Sequence, residues 1–399
     1  MRTERLISGV LSAVFVTSCG SGTGLKNAGL TAAANADAGV AAAGSGSSTG
    51  GMAGGGAGGG NDASAGAEPG QDAMDDNVAA PNVSSNDGSG VAAPEASSAG
   101  GGGAVSPAAG SGTWMDLAPM PGGGRSDGTG AVLNGLLFVV GGQGQNGNDV
   151  EAYDPKTNTW TTHVKFPALV NHANVAGVGD KLYVFGGRDS TASYAYNPFA
   201  PVIDRKWTAI KTIPGQRESA AVGVIGGKIY LVGGAVSHTD PPRADLFVYD
   251  PATDGWDTSQ PPEPIGRTHQ AAAVVDGILY VMAGRKFAER FTEPAGWLSS
   301  AYAYDPVAKT WTQKSDIPTP RSGCVGGVIN GLIIVAGGEG APGGGVFPQV
   351  EAYNPGTDQW TKLAPMKHPC NGQAQGGIDG KLYLAGGTNT NITDVLTLP

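Results

Sequence analysis

Among the residues of this 399-residue chain that could do chemistry, arginine has the most regular placement. Six small-residue pairs recur along the chain: Gly141-Gly142, Gly186-Gly187, Gly233-Gly234, Ala283-Gly284, Gly337-Gly338 and Gly386-Gly387. Counting sixteen residues back from the first member of each pair gives Arg125, Val170, Arg217, Arg267, Arg321 and Cys370. Guanidinium groups gathered at one level suit bidentate contacts with carboxylates, so this frame points to an acidic ligand. Arg188 and Arg285 directly follow a small pair, and His172 and His269 stand two residues beyond the frame as further donors. Glu218 beside Arg217, and Glu339 just after Gly338, are the carboxylates that could join an arginine in acid–base chemistry.

Other strings lack the context their chemistry needs. Gly142–Gly147 matches G-x-G-x-x-G, but the next segment, Val150-Glu-Ala-Tyr153, reads as a strand rather than the helix that would receive a pyrophosphate. Gly46-Ser-Ser-Thr-Gly50 matches a nucleophile elbow with no strand or helix beside it. Histidines 163, 172, 238, 269 and 368 are scattered without metal-ligand spacing, so no metal and no cofactor is expected.

The elements that must position the arginines are strands. Each small pair ends an apolar, β-branched run such as LLFVVGG (136–142), KLYVFGG (181–187) or KIYLVGG (228–234). The pairs are spaced 45, 47, 50, 54 and 49 residues apart, a period that means stacked supersecondary units. A hairpin dipeptide precedes each run, as Asn134-Gly135 or Asp276-Gly277. A third strand then ends in Tyr-Asp/Asn-Pro at Tyr153, Tyr196, Tyr249, Tyr304 and Tyr353. A fourth carries Trp160, Trp207, Trp256, Trp311 or Trp360, seven residues after the tyrosine, or eleven in the second unit.

This order of Gly-Gly, Tyr and Trp over residues 113–399 resembles the kelch repeat. The resemblance implies an all-β, six-bladed kelch β-propeller with four antiparallel strands per blade. Six small pairs are followed by only five tryptophan strands; the sixth tryptophan stands in front, at Trp114. Leu117-Ala-Pro-Met120 matches Leu363-Ala-Pro-Met366, so the N-terminal strand is expected to close the last blade. The resemblance also frames function. Galactose-oxidase-like kelch enzymes have seven blades and paired Tyr and His copper ligands, whereas this chain counts six blades and has no adjacent Tyr-His pair. Enzymes resembling sialic acid mutarotase would use a carboxylate and an arginine, here Glu218, Arg217 or Glu339. Kelch domains that capture acidic peptides use arginines at similar places, so the expected ligand residues are Arg125, Arg188, Arg217, Arg267, Arg285, Arg321, His172 and His269. The preferred expectation is a monomeric binding module for an acidic protein segment or acidic glycan. The alternatives are a sugar-modifying enzyme or a structural envelope component.

The N-terminal third has another character. Residues 20–112 hold 25 glycines and no Phe, Trp or Tyr, too little apolar surface to offset the entropy of ordering. Before them, a basic start and the apolar run 6–16 read as a signal segment, residues 1–18. Val16-Thr-Ser-Cys19 resembles a lipobox, which implies acylation of Cys19 and an exported outer-membrane or cell-surface lipoprotein, the alternative being a secreted or periplasmic protein. Residues 19–112 are then a disordered stalk, with a coil span of roughly 50–60 Å. Membrane contact is expected through the lipid only. Residues 113–399 carry 21 basic and 25 acidic groups, which argues against a nucleic-acid partner. With Cys19 acylated, Cys324 and Cys370 become a candidate disulfide pair in an oxidising compartment.

Overall fold

The computed structural model describes residues 105–399 except 145–146, 238, 287–295 and 342–344. Cys19, the signal segment and all but the last eight residues of the 19–112 stretch lie outside the described residues.

The apolar runs become the second strand of each of six four-stranded antiparallel sheets. In blade one the strands Thr129–Leu133, Leu136–Val140, Val150–Asp154 and Thr159–Thr162 lie side by side in chain order. The innermost strands of successive blades touch one another around the axis. Second strands are sandwiched between neighbouring sheets, so both their faces are apolar; Leu137, Phe138, Val139 and Val140 are all buried. That is why these runs read as continuous rather than alternating hydrophobicity.

Tyrosine and tryptophan work as a cross-strand pair on adjacent outer strands. Tyr153 faces Trp160 in register, with ring centroids 5.3 Å apart, and Tyr153 also packs on Tyr383 of blade six at 5.9 Å. Each indole N–H then reaches back to a carbonyl of the preceding blade's exit segment. The six acceptors are Ala118 for Trp160, Val164 for Trp207, Lys211 for Trp256, Pro261 for Trp311, Ser315 for Trp360 and Ala364 for Trp114, at 2.8–3.3 Å. Half-burying an indole with its one donor satisfied avoids the desolvation cost of an orphaned N–H.

The small pairs form a second set of ties. The N–H of the second member donates to the frame carbonyl of the next blade: Gly142 to Val170, Gly187 to Arg217, Gly234 to Arg267, Gly284 to Arg321, Gly338 to Cys370 and Gly387 to Arg125, at 2.8–3.1 Å. The first member has positive φ in every blade, including the alanine at Ala283 (59°). At Gly141 a Cβ would stand 2.2 Å from the Val170 carbonyl oxygen, so the blade approach itself demands glycine there.

Blade six consists of Ala374–Ile378, Lys381–Ala385, Thr393–Thr397 and the N-terminal strand Thr113–Asp116. The chain just before that strand is already docked. Gly110 N–H donates to Lys362 O at 2.8 Å, Ala364 N–H to Ser111 O at 2.9 Å, and the Asn354 amide to Ser106 Oγ at 3.0 Å. The last residues of the stretch read as stalk thus run along blade five.

Candidate functional site

Two residues beyond the arginine frame, one residue from each blade closes a ring of backbone hydrogen bonds around the axis. His172 N–H donates to Asp127 O (3.1 Å), Ser219 to His172 (3.0 Å), His269 to Ser219 (3.2 Å), Gly323 to His269 (2.9 Å), Gly372 to Gly323 (3.1 Å) and Asp127 to Gly372 (2.8 Å). All six adopt left-handed backbone, with φ between 50° and 64°. For Asp, His and Ser that conformation is uncommon and is held here by its neighbours on both sides. The ring fixes four side chains at the start of the innermost strands: Asp127, His172, Ser219 and His269.

Around them stand two arginine–carboxylate pairs built across blade boundaries. Arg188 Nε lies 3.0 Å from Glu218 Oε2, and Arg285 Nη1 lies 2.5 Å from Glu339 Oε1. Arg188 is 26% exposed while Glu218 beneath it is fully buried, with its second oxygen, Oε1, lacking a hydrogen-bond partner. The arginines also touch the histidines: Arg188 Nη2 is 3.5 Å from His172 Nε2, and Arg285 Nη2 is 3.4 Å from His269 Nε2. The two imidazoles meet edge to face with centroids 5.1 Å apart. His172 Nε2 lies 3.4 Å from Asp127 Oδ1, and Ser219 Oγ lies 3.3 Å from His269 Nε2. Asn371 donates to Glu339 Oε2 at 2.9 Å and accepts from Thr388. Of the expected ligand residues, the structure therefore gathers Arg188, Arg285, His172 and His269 at one axial end, together with Glu218 and Glu339, the carboxylates considered for acid–base chemistry.

The other four expected arginines are elsewhere, which corrects the picture of an open guanidinium face. Arg125, Arg217, Arg267 and Arg321 are buried, and each turns into its own blade. Arg125 is paired with Glu151, and Arg321 Nη1 with Glu351 Oε2 at 2.5 Å. Arg217 Nη2 is 3.2 Å from Asp245 Oδ2, and Arg267 Nε is 2.8 Å from Glu263 Oε1. Backbone carbonyls take further guanidinium donors: Gly233 and Asp245 for Arg217, Ala283 and Ser300 for Arg267, Val335 for Arg321. Arg217 also stacks 4.2 Å above the Phe247 ring. Their donors brace the second strand against the third inside each blade. Burial lowers the Arg217 pKa to about 10, partly opposed by Asp245, and pushes Glu263 up to about 7 against the pull of Arg267. The combination of Glu218 or Glu339 with Arg217 does not form; Arg188 and Arg285 take those carboxylates instead.

The candidate disulfide is likewise corrected. Cys324 and Cys370 are separate free thiols, both buried, and burial raises both thiol pKa values, that of Cys370 to about 12. Neither is poised for thiolate chemistry. In the loop after Arg285, Phe287, Arg290 and Phe291 lie outside the described residues, while the Trp297 ring packs over the Gly340 backbone. His163 is a packing residue between Phe138 and Tyr196, its pKa lowered by burial. His238 lies outside the described residues. His368 meets Asp116 and Asp394 at the seam of blade six, with their ligand atoms within 4.8 Å of one another. The Lys367 ammonium already sits on Asp116 there.

Sequence reasoning missed Asp127, Ser219, Thr268 and Asn371. The first two were within reach, because they occupy the same offset as His172 and His269 in the repeat. Thr268, whose Oγ1 lies 3.0 Å from His269 Nδ1, carries no such signal.

Comparison with known proteins agrees with this architecture. The KLHDC2/KLHL20/DRC7 Kelch-repeats domain matches residues 127–338 and 224–398. Kelch-like protein terF of Aspergillus terreus is 31% identical over 236 residues, covering 55% of this chain and 50% of that protein. N-acetylneuraminate epimerase of Pasteurella multocida is 31% identical over 274 residues, covering 54% of this chain and 68% of that protein. The chain spans half or less of several other curated relatives, including 37% of mouse Kelch-like protein 35. The solved structure of YjhT superposes with a TM-score of 0.59 at 19% identity, covering 70% of this chain and 95% of that one, a likeness of fold. Matched by the kelch domain over most of its folded part, and built as six blades of four antiparallel strands, the chain belongs to the kelch-repeat family of β-propeller proteins.

Proposed function

We propose that the protein is a binding module displayed at the cell envelope, and that its axial cluster takes one small polyhydroxylated unit of a glycan. The observation that carries this reading is the pairing of Arg188 with Glu218 and of Arg285 with Glu339. Both guanidinium groups are already answered by carboxylates, so an extended acidic peptide would have to displace them. What solvent reaches is a mixture of short donors and acceptors: Ser219, His269, Asn171 and Asn371 are partly exposed, Thr388 is exposed, and one edge of Arg188 is open. Such a set suits hydroxyl groups, with Arg188 able to meet a single ligand carboxylate. Display rests on acylation of Cys19 and the glycine-rich stretch that follows it. The test is a glycan array followed by calorimetry on the full chain. A hit should weaken at least tenfold in Ser219→Gly combined with Asn371→Ala, and equal affinity in that variant rejects the axial site.

A second reading is acid–base isomerisation of a sugar. It is favoured by the relative named N-acetylneuraminate epimerase and by the unpartnered Oε1 of buried Glu218, an acceptor for a substrate hydroxyl. Anomer interconversion followed by NMR, with Glu218→Gln as the control, separates an enzyme from a binder.

A further inference from the structure

We propose that the face opposite the axial cluster lies against a lipid bilayer, with Val202 and Ile203 as its insertion tip. In this fold the frame and small-pair loops occupy one face, and the hairpins and third-to-fourth turns occupy the other. The turn of blade two, 197–206, is four residues longer than its counterparts. It carries the short 3-10 turn Val202–Asp204, none of whose residues is buried; Val202 is 77% exposed and Ile203 92%.

This tip is held rigidly rather than left loose. Asn197 Oδ1 accepts from the N–H groups of Phe199 and Ala200 at 2.8 and 3.0 Å, and Arg205 Nε donates to Ala200 O at 2.9 Å. Pro198 and Pro201 restrict the backbone further. The Phe199 ring is edge-on to Phe138, with centroids 6.4 Å apart. Ordered apolar side chains cost little entropy when they enter an apolar medium. Arg205 and Lys206 against Asp204 leave this one turn with a net positive charge, whereas the hairpins and turns of the face taken together carry more aspartates than lysines and arginines. Val307, 92% exposed, stands on the corresponding turn of blade four.

Two or three aliphatic side chains are far too small an area to hold a free partner, whose stable interface buries over about 1,000 Å². They matter only where another tie supplies high effective concentration. That tie leaves from the same face: Ser106 is hydrogen-bonded to Asn354 in the third-to-fourth turn of blade five, across the ring from blade two. A bilayer is therefore the occupant, and the axial ring points away from it. The inference rests on the Cys19 lipid reading.

The experiment uses the full acylated chain reconstituted into vesicles of phosphatidylethanolamine and phosphatidylglycerol. Ile203→Trp should show several-fold more quenching by brominated acyl chains than the native tryptophans alone, with a blue-shifted emission. On vesicles, trypsin should cut after Arg205 and Lys206 several-fold more slowly than in Val202→Asp combined with Ile203→Asp, two exposed changes that leave the core untouched. A chain that sediments with vesicles but shows neither effect overturns the tip and leaves the anchor standing. A chain that does not sediment overturns both. A concentration-dependent emission shift without vesicles overturns the bilayer in favour of a second copy of the chain.

Discussion

Trp114 lies opposite Leu396 in the register of blade six, and its indole N–H donates to Ala364 O at 3.3 Å. One residue near the start of the propeller thus joins the third strand of blade six to the exit segment of blade five. Deleting residues 113–121 removes this strand and leaves Thr393–Thr397 as an unpaired edge. The expected outcome is loss of cooperative unfolding in urea, or aggregation, while deletion of 20–104 leaves the unfolding midpoint unchanged. Equal midpoints for the two truncations would contradict ring closure by this strand.

Arg321→Ala should destabilise the fold by about 3–5 kcal/mol, because it leaves Glu351 buried beside no cation. Arg321→Met combined with Glu351→Leu should recover most of that loss in the same denaturant titration. The comparison distinguishes a structural brace from a ligand residue, whose loss would spare stability.

Glu263 gives a pH dependence with a definite sign. Its folded pKa is raised to about 7 from 4.5 by burial, so the native state holds its proton where the unfolded chain has released it. This group's stabilising contribution is complete below pH 4.5, falls as pH rises, and is gone above about 7. In a Glu263→Gln variant the decline between those limits should flatten by roughly 1–3 kcal/mol. Unfolding titrations at pH 5 and pH 8 read the difference.

The left-handed backbone at His172 predicts an unusual substitution order. All three changes lose the buried imidazole's contacts, but His172→Gly and His172→Asn should stay more stable than His172→Val, which adds about 1–3 kcal/mol of backbone strain. Differential scanning calorimetry on the three variants ranks them.

Cys324 and Cys370 should resist alkylation in the native protein and react as two thiols in denaturant, with no reductant needed. Burial and raised pKa both act against the thiolate. Intact mass before and after unfolding counts them.

The blades were legible in the sequence because their determinants repeat at one offset: Gly-Gly, Tyr and Trp perform the same contact six or nearly six times. The fate of the arginines was not, because their partners come from different places. Glu151 and Glu351 sit two residues before a third-strand tyrosine, Asp245 in the loop after blade three's second strand, and Glu263 four residues before Arg267. A repeated arginine with unrepeated partners looks like a free face until the side chains are placed. The axial cluster was half legible, since its histidines share an offset while its ion pairs cross blade boundaries.

The axial hydrogen-bond ring is made by backbone groups, so among residues that tolerate left-handed backbone the chemistry at the axis can be rewritten without redrawing the scaffold. Its two glycines differ in this respect. A Cβ at Gly372 would fall 2.4 Å from the Asp127 carboxylate, so that place is taken. A Cβ at Gly323 would meet Asn371 and Glu339 only at ordinary contact distance, 3.4 and 3.5 Å. Position 323 is thus a vacant socket. Asparagine, which tolerates left-handed backbone, could plug a new amide in beside His269 and change what the site selects.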